Sequence, residues 1–100
     1  MENQVIRMLD DLGRIVLPSA QRNQIGWAAG SRLTAIVNLR NKTVEFLAQQ
    51  DGAIQIDELG RVVIPNGIRD AFNWAVKDKL LVELNEFEGS ILLEFEEKAA

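Results

Sequence analysis

At 100 residues and 11.2 kDa the chain has room for one domain, or for two very small ones that share a core. With 47% hydrophobic and 26% charged residues it can fill such a core and is not compositionally disordered. Cysteine, histidine and tyrosine are all absent, which removes disulfides, thiolate or imidazole metal sites and the usual Ser-His-Asp or Cys-His machinery. The reading is therefore of a protein that is not an enzyme and needs no cofactor and no metal. No apolar run approaches the roughly 20 residues of a membrane span, and the polar start Met1-Glu2-Asn3-Gln4 lacks the order of a signal peptide. A soluble, cytoplasmic protein with no membrane partner is expected.

Residues 5–9 form a short β-favouring run, followed by Asp10-Asp11-Leu12-Gly13, a tight turn with glycine where positive φ is needed. The returning strand, residues 14–17, completes a predicted hairpin and stops at Pro18, which has no N–H to donate. Ser19 is placed to cap a helix over about residues 20–25, and Gly26 sits where a left-handed residue ends one. Trp27 follows as an apolar anchor packed under that helix, a more natural role for it than stacking on bases. Residues 33–38 and 43–48 then flank the polar turn Leu39-Arg40-Asn41-Lys42 as a second hairpin, and Gln49-Gln50-Asp51-Gly52 form a joint.

The same order then recurs 47 residues on. Asp57-Glu58-Leu59-Gly60-Arg61-Val62-Val63-Ile64-Pro65 answers Asp10 through Pro18, and the register runs without a gap through Arg22/Arg69, Trp27/Trp74, Ala28/Ala75 and Leu33/Leu80. Asn66 takes the capping place of Ser19 and Asn73 the place of Gly26. Strands over residues 79–84 and 91–95 close the second copy, turning near residues 86–90, and Glu94, Glu96, Glu97 and Lys98 read as a charged tail. Units spanning residues 1–49 and 50–100 are each too small to be comfortable alone, so both are expected to build one pseudo-symmetric domain.

The run Asp57 to Pro65, followed by Arg69 and by Lys77-Asp78-Lys79-Leu80, resembles the DNA-binding domain of the AbrB/SpoVT family of bacterial transition-state regulators. Asp10, Leu12, Gly13, Arg14, Pro18 and Arg22 give the first unit the same skeleton. The resemblance implies a mixed α/β, mostly β fold: a swapped-hairpin barrel built from two tandem ββαββ repeats. Members of the family usually pair two chains, each with one unit; a tandem copy is similar to the MraZ regulators, without their long helical insertions. It also implies double-stranded promoter DNA as the partner, with contacts from Arg7, Arg14 and Arg22 in the first unit and Arg61 and Arg69 in the second. Two departures weaken the second unit: Ile54 stands where the first has Arg7, and Asp70 stands where family members often carry another basic residue. Asn23 holds that place in the first unit.

The net charge of −4 is unfavourable for DNA, but its distribution is uneven. Residues 1–49 hold six basic and four acidic side chains, and residues 50–100 hold five basic and eleven acidic, or +2 against −6. The first unit is thus expected to meet phosphate and the second to complete the barrel. Three arginines would neutralise too few phosphates for tight binding, so a homodimer or higher homo-oligomer is expected.

Three other readings compete. Asp10 and Asp57, equivalent under the repeat, invite comparison with an aspartic-protease dyad, but their neighbours Asp11-Leu12 and Glu58-Leu59 lack the small hydroxyl and glycine residues such a site needs. An antitoxin of the MazE type would need a C-terminal extension to wrap its toxin, which the few residues after the last predicted strand do not supply. A protein-binding adaptor with the same barrel is favoured by the acidic second half. For Arg14 and Arg61 the bland alternative is an ion pair across their own turns, and for Arg22 and Arg69 a solvated helix surface.

Overall fold

The computed structural model describes residues 3–96, so Glu97 and Lys98 of the expected tail lie outside the described residues. In chain order the elements are β1 (Gln4–Met8), β2 (Arg14–Val16), α1 (Ser19–Gln24), β3 (Arg32–Asn38), β4 (Thr43–Ala48), β5 (Ile54–Gln55), β6 (Arg61–Val63), α2 (Asn66–Phe72), β7 (Lys79–Asn85) and β8 (Ser90–Phe95). Glu94, expected in a tail, lies within β8. Six strands form a curled antiparallel sheet in the order β1-β7-β8-β4-β3-β5, and β2 and β6 form a separate two-stranded ribbon.

The predicted first hairpins do not close as hairpins. Asp10 N–H donates to the Arg14 carbonyl at 3.0 Å, and its counterpart Asp57 to Arg61 at 2.9 Å, but beyond the turns the strands separate. β1 pairs with β7 of the other half, β5 with β3, and β2 with β6. Strand length explains the choice. Pro18 and Pro65 follow strands of only three residues, whereas β7 offers seven residues to the five of β1.

The pairings keep one relation throughout. Ile15 lies opposite Val62 in the ribbon and Glu45 opposite Leu92 in the sheet, each pair 47 residues apart, so one pseudo-twofold axis runs through both. Loop hydrogen bonds obey it as well: Leu9 N–H to the Asp78 carbonyl at 2.9 Å matches Ile56 N–H to Ser31 at 3.0 Å.

Period-two alternation puts Leu33, Val44 and Phe46 of one half and Leu80, Ile91 and Leu93 of the other on the inner face, all fully buried. Ile15, Leu17, Val62 and Ile64 close the core from the ribbon side. Both tryptophans are buried where expected, and Trp74 packs on Phe72 with ring centroids 5.1 Å apart. Gly26 and Asn73 both take positive φ after their helices, 74° and 59°.

The expected caps are corrected. Ser19 and Asn66 are the first helical residues, with Pro18 and Pro65 at the N-cap and no side-chain cap bond. Proline, with φ held at −57° and −54°, takes the cap position itself, so each helix starts one residue earlier than a serine or asparagine cap requires. Buried Gln21 fixes α1 over the sheet, its Nε2 donating to the carbonyls of Asn3 at 2.9 Å and Val82 at 3.1 Å.

Candidate nucleic-acid interface

Each turn before the ribbon is built by one aspartate. Asp10 Oδ1 accepts from the N–H groups of Leu12 at 3.0 Å and Arg14 at 2.7 Å, and Oδ2 accepts from Arg14 Nε at 2.6 Å. Asp57 repeats this with Leu59 at 2.9 Å, Arg61 N–H at 2.8 Å and Arg61 Nε at 2.7 Å. Gly13 and Gly60 close the turns at φ 77° and 79°, where a Cβ is strained. Burial is the largest single influence on both carboxyls and opposes ionisation. The backbone and side-chain hydrogen bonds from Arg14 or Arg61, the N–H of Leu12 or Leu59 and the arginine's charge together outweigh it, leaving both pKa values below the usual aspartate value.

The ribbon sets these arginines side by side with apolar groups. With Ile15 and Val62 turned inward, Arg14 lies opposite Val63 and Val16 opposite Arg61 on the outward face. Leu12 and Leu59 project at the turn tips, 64% and 66% exposed. Asp11 and Glu58 are exposed beside them.

The helix arginines reach across the pseudo-axis. Arg22 Nε donates to the Leu17 carbonyl at 2.9 Å, and its guanidinium lies over Gly60, where a Cβ would be 2.6 Å from Nη2. Arg69 Nε donates to Ile64 at 2.9 Å and covers Gly13, where a Cβ would be 2.5 Å from Cζ; its Nη2 also donates to Asn66 Oδ1. The glycines are therefore required twice, by their φ and by the cation above them. Arg22 thus covers the residue before Arg61, and Arg69 the residue before Arg14.

Four of the five arginines singled out from the sequence thus lie on the ribbon or over its turns, with matching settings for Arg14 and Arg61. Arg7 stands apart on β1, opposite Leu80 and on the same side of the sheet as that core residue, with Nη1 donating to the Ile6 carbonyl at 3.2 Å. The ion pairs across the turns are present, but each uses Nε and leaves the Nη groups of Arg14 and Arg61 without an acidic partner among the described residues. Sequence reasoning missed Val16, Val63, Leu12 and Leu59 as members of this face. Alternation through residues 14–17 carried the signal for the valines; nothing local marked the crossing of the helix arginines. Among the described residues no cluster of acidic side chains is arranged to hold a metal, and no helix is long and apolar enough to cross a membrane.

A scan of protein families finds no match for this chain, and no curated protein matches it. Among solved structures, the solution structure of PHS018 from Pyrococcus horikoshii is similar over 100% of this chain and 99% of that one, with a TM-score of 0.52 and 18% sequence identity. At that identity the likeness concerns the fold alone.

Proposed function

We propose that this chain is a DNA-binding transcriptional regulator of the AbrB/SpoVT type, whose two tandem units form within one chain the swapped-hairpin barrel that such proteins ordinarily assemble from two. The crossed pairing of β1 with β7 and β5 with β3 supports that reading of the fold. The observation that carries the function is the ribbon, which bears Arg14 and Arg61 on its outward positions and has Arg22 and Arg69 packed over its two turns. Such a two-stranded ribbon is of the kind that enters a DNA groove, with guanidinium groups for phosphates and base edges. Arg7 exists only in the first unit, and the charge split of +2 against −6 also weights binding toward that unit.

The deciding experiment is fluorescence anisotropy on promoter-length duplexes across a salt series. Four engaged arginines per chain predict a log–log slope of about −3.6, and the paired substitution Arg14→Ala with Arg61→Ala should reduce its size by about 1.8. Absence of binding at low salt would refute the proposal and put the protein-binding adaptor ahead of it.

A further inference from the structure

The pseudo-symmetric sheet has two edges that ought to be alike and are not. β5, at one end, is a strand of two residues, Ile54 and Gln55, preceded by Gly52, whose backbone presses on that of Leu33 so closely that a Cβ there would overlap the Leu33 carbonyl. β1, at the other end, is a regular strand of five residues, Gln4–Met8. Shortening and local distortion are how sheet edges are made unattractive to other chains; β1 carries neither.

The register shows which groups β1 leaves open. Leu84 N–H donates to Asn3 and Leu9 N–H to Asp78, so the odd-numbered residues face β7. Antiparallel alternation then turns the N–H and C=O groups of Gln4, Ile6 and Met8 to the open edge. Their side chains lie on the outer face of the sheet, where Ile6 is 44% and Met8 52% exposed. The only charged residue of the strand, Arg7, has its side chain on the other face, and its Nη1 reaches the open-edge carbonyl of Ile6 at 3.2 Å in a solvent-exposed bond that a pairing strand would displace.

We infer that β1 is a homodimer edge, pairing antiparallel with β1 of a second copy about a twofold axis at Ile6, so that two sheets become one. The occupant is argued from self-complementarity. In that register Ile6 exchanges both backbone bonds with Ile6 of the second copy, and Gln4 does so with its Met8. Leu81, the direct neighbour of Ile6 on β7, extends the outer row to Leu81-Ile6-Ile6-Leu81 across the junction, a continuous apolar row. In the adjacent outer rows Glu83 and Gln4 of one copy continue into Met8 and Lys79 of the other, and on the inner face each Arg7 stands opposite Val5 of the other copy, so no like charges are directly opposed although the two Arg7 side chains are diagonal neighbours. This interface stands independently of the DNA reading, because it is tested without nucleic acid.

The test is sedimentation equilibrium of the full chain, with hydrogen exchange read at individual amides. The expected result is a concentration-dependent species of twice 11.2 kDa, with slow exchange at Gln4, Ile6 and Met8. Ile6→Pro removes an N–H that the β7 ladder does not use and should give a monomer. Ile6→Lys, which keeps the N–H but opposes two charges at the axis, should do the same should the proline variant fail to fold. Gln55→Lys, on the short edge, should leave the mass unchanged. A wild-type monomer at high concentration, or a dimer whose Gln4, Ile6 and Met8 amides exchange rapidly, would overturn the inference.

Discussion

Gly60→Ala tests the contact that joins the two halves. At φ 79° an L-residue costs about 1–2 kcal/mol. The added Cβ would also lie 2.6 Å from Nη2, 2.8 Å from Cζ and 3.0 Å from Nε of Arg22, so the guanidinium must move. Arg22 is flexible at its tip but tied at Nε to the Leu17 carbonyl by a 2.9 Å bond. Losing a part-buried hydrogen bond from a charged donor adds on the order of 1–2 kcal/mol. The total, about 2–4 kcal/mol, should lower the urea midpoint by on the order of 1 M. Urea titrations followed by the fluorescence of the buried tryptophans, on the wild type, Gly60→Ala, Arg22→Ala and the double variant, separate the two shares. With Arg22 already removed, the glycine substitution should cost only the backbone share, giving a coupling of about 1 kcal/mol or more. Strict additivity would refute the crossing contact as an energetic link.

The same chemical change should have opposite signs at two other glycines. Gly52→Ala meets the Leu33 backbone and should destabilise by about 1–3 kcal/mol, whereas Gly67→Ala, in α2 with open space around it, should stabilise by about 0.5–1 kcal/mol; matching urea midpoints for the two variants would contradict this. Trp74→Ala should cost about 3–5 kcal/mol, read from thermal melts with Trp27 as the remaining fluorophore, and a wild-type melt would remove Trp74 from the core. The folded pKa values of Asp10 and Asp57 are lowered, so the unfolded chain binds protons first on acidification; the stability these groups confer is present above about pH 4 and is lost as pH falls below it. A variant with both Asp10→Asn and Asp57→Asn should therefore lose less stability than the wild type between neutral pH and about pH 3, and equal losses by urea titration would contradict the assignment.

Much of the local structure was legible because its causes act within a few residues. The Asp-to-Gly turns, the helix stops at Gly26 and Asn73 and the burial of Trp27 and Trp74 all follow from residue type and spacing, as does the shift of 47 that the strand registers obey. The candidate face was half legible. Arg14 and Arg61 were marked by their turns, while Val16 and Val63 entered only once the ribbon turned Ile15 and Val62 inward.

Partner choice could not be read the same way. Whether β1 pairs with β2 or β7 depends on competition among strands far apart in the chain, and Pro18 tips it by leaving β2 only three residues long. The crossing of Arg22 to Gly60 and Arg69 to Gly13 goes with that same pairing, in which β2 and β6 lie side by side and bring each helix over the turn before the other strand. The sequence by itself determined the turns, the helix stops, the two tryptophan anchors and the 47-residue repeat, because these depend on residue type, near neighbours and spacing. The tertiary structure alone decided which strands meet and which turn each helix arginine covers, because those contacts join residues far apart in the chain that come close only when all the strands pack on one core.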